Sequence, residues 1–174
     1  GLEFTAAGPT LQFNAAARLC LTGADFGAML DGEPVERYRP FDVALGQTLR
    51  IGRVTGGGIR GYLLVAGGLD VPLYLGSRSA FTLGEFGGHA GRAVMTGDTL
   101  HLVSASPPIP APERLPVGLP EIGKEWQIRV LYGPHGAPDF FTDDDIAMLR
   151  SAQWKVHYNS NRTGVRLIGP KPQW

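Results

Sequence analysis

Three glycine-rich polar segments carry the side chains suited to chemistry. The first runs from Gly76 to Arg92, with Ser77, Arg78, Gly87, Gly88 and His89 inside it. Small residues there let backbone amides approach a ligand, and Arg78, His89 and Arg92 supply charge. The second, Tyr132 to Asp139, holds an aromatic ring, His135 and a carboxylate. His135 is suited to handling a proton, because an ordinary imidazole titrates near neutrality. The third, Tyr158 to Arg166, offers Tyr158, Asn159, Asn161 and Arg162. Its amides, hydroxyls (Ser160 among them) and fixed guanidinium can orient a small planar carbonyl or urea-like group. Each segment also reads as plain loop architecture, with glycine setting irregular backbone and Asn161 and Arg162 building a turn.

Other signatures are missing. The sequence has no GxSxG, HExxH or CxxC motif. Gly118 to Lys124 has P-loop glycine spacing, but Glu125 stands where Ser or Thr would bind magnesium. The four histidines, His89, His101, His135 and His157, lack metal-ligand spacing. Cys20 lies in an apolar run and reads as an inert core thiol.

The elements that must position these segments are short. Gly (25) and Pro (14) make up 39 of the 174 residues, against an ordinary share of about 12%. That punctuation favours strands and turns over long helices. Period-two alternation marks strands at Leu11–Phe13, Arg18–Leu21, Thr48–Val54, Tyr62–Ala66, Thr99–Val103, Gln127–Leu131, Trp154–Tyr158 and Val165–Ile168. Leu49 and Ile51 share one face, and Tyr62–Ala66 reads as a buried strand. Asp31-Gly32 predicts a tight hairpin between Met29-Leu30 and Glu33-Pro34. His101 reads as a structural mid-strand residue.

One helix is expected after Thr142. Thr142 is a good N-cap, and Asp143, Asp144 and Asp145 face the positive end of the helix dipole. Asp145 can close a capping box with Thr142. The acidic triplet therefore reads as capping before it reads as a metal site. Ile146 and Leu149 form a short apolar stripe.

Six of the 14 prolines fall in residues 107–120. Proline has no ladder N–H, so this segment reads as a linker. It divides a first β unit, 1–106, from a second, 121–174. The second is thin for an independent core and is expected to borrow packing.

Charge excludes some classes. Lys and Arg number 16, as do Asp and Glu, so nothing is in surplus to neutralise phosphates and nucleic acid is not an expected partner. No run of 18 apolar residues would span a membrane. A single cysteine cannot form an internal disulfide, which points to the cytoplasm. Gly at position 1 and the stop after a strand-like run suggest a piece cut from a longer polypeptide.

The segments together resemble the carboxyltransferase region of urea carboxylase, the biotin-dependent part of urea amidolyase. The matching stretches are GPTLQF at 8–13, TGAD at 22–25, YLLVAGGLDVPLYLGSRSAFTLGEFGGHAGRAV at 62–94, LYGPHGAPDFFT at 131–142 and VHYNSNRTGVRLIGPKPQW at 156–174. The wider family includes a 5-oxoprolinase subunit and the antagonist of a sporulation-kinase inhibitor. These share VAGG, GSRS and SNRTG, whereas GPHGAPDFFT and GPKPQW look more like urea carboxylase. Guanidine carboxylase would look nearly the same.

The resemblance implies an all-β fold of cyclophilin-like barrels with one short helix. It implies carboxyl transfer from carboxybiotin to urea, giving allophanate. The biotin carboxylase domain, which uses ATP, and the biotin carrier domain would be partners outside this chain. Candidate roles are Arg162 and His135 in catalysis, and Arg78, Arg92, Tyr158, Asn159 and Asn161 in binding urea or a similar small amide. Ser77, Gly87 and Gly88 would contact biotin. The rival class is a non-catalytic cyclophilin-like binding module or a protein of the 5-oxoprolinase type.

Overall fold

The structure, a computed structural model, describes residues 1–103, 118–119, 121–162 and 164–173. It divides into two compact units, Gly1–Trp126 and Gln127–Trp174. The proline segment 107–120 lies outside the described residues apart from Gly118 and Leu119.

Among its described residues the first unit holds eight strands: β1 (Leu2–Thr5), β2 (Thr10–Gln12), β3 (Ala17–Gly23), β4 (Met29–Leu30), β5 (Glu33–Pro34), β6 (Pro40–Val43), β7 (Thr48–Arg50) and β8 (Arg60–Val65). They form two antiparallel sheets, ordered β1-β8-β3-β6 and β2-β7-β4-β5. The described strands do not close into a barrel. Proline begins the edge strand β6 and ends the edge strand β5. The β4–β5 hairpin turns at Asp31 and Gly32, both at positive φ (50° and 94°), as its sequence predicts.

Alternation builds the core. Leu19 and Leu21 of β3, Leu63 of β8 and Val43 of β6 point inward and are at most 3% exposed. Leu49 and Ile51 meet the same cluster from β7 and its continuation. Phe4 and Phe26 close it edge to face, ring centroids 4.8 Å apart. The outer face of the first sheet carries the ion pairs Arg18–Asp42 (2.7 Å) and Arg60–Glu3 (3.5 Å).

The second unit holds α1 (Asp143–Ser151), β9 (Lys155–Val156) and β10 (Leu167–Ile168), the last two paired antiparallel. The capping box forms. The Thr142 hydroxyl oxygen accepts the Asp145 amide, and the Asp145 carboxylate accepts the Thr142 amide. Asp145 also accepts the Gln173 amide at 2.8 Å, tying the C-terminal segment to the helix. These amides hold its carboxyl below the usual range.

Several expectations need correction. Tyr62–Ala66 is covered on one face only: Leu63 is buried, while Tyr62 and Leu64 are 38% and 47% exposed. Thr99–Val103 forms no strand; Leu102 bridges Leu69 in isolation, and His101 is exposed and contributes its carbonyl to Asp70. Gln127–Leu131 has no strand assignment, and Leu131 is 98% exposed. Alternation supplied the pattern, but no partner strand among the described residues supplies a ladder. Helix α1 buries Asp145 rather than Ile146 or Leu149. Cys20 is half-buried, with its thiol pKa pushed up by burial. No helix among the described residues is long and apolar enough to cross a membrane.

Candidate functional site

In the first unit the candidates lie on a loop after β8. Its backbone is closed by two tight exchanges. Tyr74 and Ser77 trade both amide bonds, at 2.8 and 3.0 Å, and so do Phe81 and Phe86, at 2.9 and 3.4 Å. The Tyr74, Phe86 and Phe81 rings pack in tilted pairs along it, centroids 4.9 and 5.3 Å apart. Ser77 Oγ accepts the Ser79 amide at 3.1 Å, so this hydroxyl shapes the loop. Gly87 and Gly88 have positive φ (74° and 52°) and press against Ser79 and Ala80. A side chain at either would clash with that backbone.

Arg92 is held by a carboxylate. Its two terminal nitrogens donate to Asp98 at 2.6 and 2.8 Å, and one also reaches the Ala93 carbonyl. His89 Nε2 lies 3.5 Å from the same carboxylate. The Arg92 guanidinium, and then the Met95 amide, hold the Asp98 carboxyl far below the usual carboxylate range. Arg92 therefore serves as a loop clasp with its fork occupied. Arg78 differs. It is exposed, and its guanidinium makes no hydrogen bond or ion pair among the described residues.

In the second unit, the loop joining β9 to β10 carries Tyr158, Asn159, Asn161 and Arg162 together. His157 N–H donates to the Arg166 carbonyl at 2.8 Å, extending the ladder past Val156. Asn161 and Gly164 exchange both backbone bonds, 3.1 and 3.0 Å, and Asn161 Oδ1 accepts the Arg162 amide at 2.8 Å. Ser160 Oγ donates to the His157 carbonyl at 2.7 Å and accepts the Arg166 amide at 3.1 Å. Tyr158 is 94% exposed and stacks on His157. The loop is thus fixed from within, with a phenol, amides and a guanidinium exposed along it.

His135 sits on a separate turn. Its ring packs edge to face on Phe140, centroids 4.6 Å apart. The Tyr132 hydroxyl accepts the Ala137 amide at 3.3 Å, and the Tyr132 ring covers Gly136 so closely that no Cβ would fit.

Sequence reasoning missed Asp98 and His157, and it placed the Ser160 hydroxyl among ligand-orienting groups, whereas that hydroxyl bonds the loop backbone. An Asp just after Gly97 is only a weak turn signal. Ser160 carried the better one, since a serine inside a loop commonly bonds nearby backbone.

A family model described as "Carboxyltransferase domain, subdomain A and B" matches residues 1–173. Urea amidolyase of Saccharomyces cerevisiae is 47% identical over 179 residues, covering 99% of this chain and 10% of that protein. The crystal structure of Kluyveromyces lactis urea carboxylase superimposes with a TM-score of 0.85 at 41% identity, over 99% of this chain and 16% of that one. A 5-oxoprolinase subunit of Haemophilus influenzae also matches, at 33% identity over 97% of this chain and 52% of that protein.

Proposed function

This chain belongs to the family of carboxyltransferase domains with subdomains A and B, and we propose that it works inside a biotin-dependent urea carboxylase. In that reading a carboxyl group passes from biotin to a nitrogen of urea, giving allophanate. One observation carries it: 47% identity along 99% of the chain to a urea amidolyase. The chain spans about a tenth of that relative's length. The biotin carboxylase domain, with its ATP, and the biotin carrier belong in this reading to the rest of a longer cytoplasmic polypeptide. The same reading assigns the proline segment 107–120 to a linker. It assigns the described sheets to parts of cyclophilin-like barrels, the second of them continued by further chain.

The residues fit carboxylated biotin on charge. Arg78 presents an exposed guanidinium, and Asp98, farther along the chain, is already paired with Arg92. Biotin, when bound, supplies the activated carboxyl group. Arg78, with Ser77 and the Gly87-Gly88 backbone, is suited to hold that carboxylate. On the other loop, the Asn159 and Asn161 amides and the Tyr158 phenol are suited to orient a planar urea, whose carbonyl accepts and whose amino groups donate. Arg162 would stabilise negative charge developing on the acceptor oxygen. His135 would take the proton released from the attacking nitrogen. Arg92, bound to Asp98, acts on the loop rather than on substrate.

A full-length protein carrying this sequence should form allophanate from urea, bicarbonate and ATP. The 174-residue chain, given a carboxylated carrier domain, should not. A full-length protein that binds a partner but leaves urea unchanged would favour the non-catalytic module. The match to 52% of the 5-oxoprolinase subunit favours, as the other rival, a protein of that type.

A further inference from the structure

Four contacts converge on His157, which none of the candidate roles includes. Its Nδ1 accepts the Asn159 amide at 3.0 Å. Its ring stacks on Tyr158, centroids 4.3 Å apart and planes 30° from parallel. Its carbonyl accepts the Ser160 hydroxyl at 2.7 Å, and its amide donates to Arg166 at 2.8 Å.

The first contact fixes the ring's chemistry. A backbone amide only donates, so the nitrogen receiving it carries no proton. Neutral His157 therefore keeps its proton on Nε2. The bond reaches back two residues and closes a turn as an Asx side chain would. It sets the Asn159 backbone, and with it the direction in which the Asn159 amide leaves the chain. The second contact sets the direction of the Tyr158 ring, which stays 94% exposed. The third, through Ser160, fixes where the Asn161–Gly164 turn begins.

We propose that His157 is a positioning residue for carboxyl transfer. Its imidazole, held as the Nε2–H tautomer, aims Tyr158 and Asn159. Its carbonyl, through Ser160, sets the turn that carries Asn161 and Arg162. This rests on the assignment of those four residues to the acceptor site.

Asparagine and glutamine separate the ring's two nitrogens. The Oδ1 of an asparagine lies as many bonds from Cα as Nδ1 does, so His157→Asn can still receive the Asn159 amide. The amide group of glutamine instead reaches the place of Nε2. In the full-length enzyme, His157→Gln should lower kcat/KM for urea about tenfold, the equivalent of one lost hydrogen bond. His157→Asn should recover most of that loss, with the two variants melting at the same temperature. Equal losses in both variants, or losses that follow the melting temperature, would overturn the proposal. In the 174-residue chain, long-range proton–nitrogen NMR should report Nε2–H for His157 and slowed exchange of the Asn159 amide. An Nδ1–H tautomer overturns the proposal alone. A wild-type enzyme that leaves urea unchanged overturns the functional reading, and the positioning role of His157 with it.

Discussion

Asp98 grips Arg92 with both carboxylate oxygens, at 2.6 and 2.8 Å, and fastens the end of the Gly76–Arg92 segment to the turn at Gly97. The bond to Arg92 lowers the Asp98 pKa in the folded protein. A lowered carboxyl pKa adds stability that is fully present above the unfolded value, about 3.9. That contribution is lost as pH falls through the lower folded value. The melting temperature of the chain should therefore drop on acidification below about pH 4, and Asp98→Asn should flatten that drop. An unchanged pH profile in the variant would show that the clasp adds nothing to stability.

Thr142 holds the start of α1 through its hydroxyl. Thr142→Ala should cost about 1 kcal/mol, and Thr142→Ser should cost much less, because serine keeps the accepting oxygen. Urea melts of the two variants test the difference. Equal losses would place the Thr142 contribution in its methyl group.

Leu49 is 0% exposed, and Leu131 is 98% exposed. Leu49→Ala should cost about 3 kcal/mol through lost burial and a cavity. Leu131→Ala should stay within about 0.5 kcal/mol in the 174-residue chain. A large effect at Leu131 would mean that this side chain is covered in solution.

The second unit buries no apolar residue among its described positions; Asp145 is its buried side chain. A peptide of residues 121–174 should show no cooperative thermal transition, since too little apolar surface is covered to offset chain entropy. A sharp two-state melt from that peptide would contradict this.

Arg162→Lys should reduce allophanate formation by the full-length enzyme more than it reduces folding stability. A planar fork pairs two acceptors at once, and an ammonium does not. Unchanged turnover would leave Arg162 with a purely architectural role.

What was legible in the sequence was local. Asp31-Gly32 and Thr142 with Asp145 encode their turn and cap within a few residues, and both form. The Leu49 and Ile51 face was legible because one covered side imposes strict alternation. Tyr62–Ala66 misled because an apolar run does not say whether one face or two are covered. Thr99–Val103 and Gln127–Leu131 misled because a ladder needs a partner that the segment itself does not specify. Among the site residues, Arg92 looked free to bind substrate until Asp98, beyond the Gly97 turn, was found to occupy it. The role of His157 depends on which ring nitrogen meets an amide, and composition carries no trace of that.

Pro34 and Pro40 have a consequence for self-association. They stand in β5 and β6, one edge of each four-stranded sheet. A proline offers no N–H to an incoming strand, so a second molecule gains little by pairing there. The opposite edges, β1 and β2, contain no proline. In these two sheets, strand-to-strand aggregation of the concentrated chain would therefore start at β1 or β2, and a proline at Glu3 or Gln12, whose N–H groups face away from β8 and β7, is the place to block it.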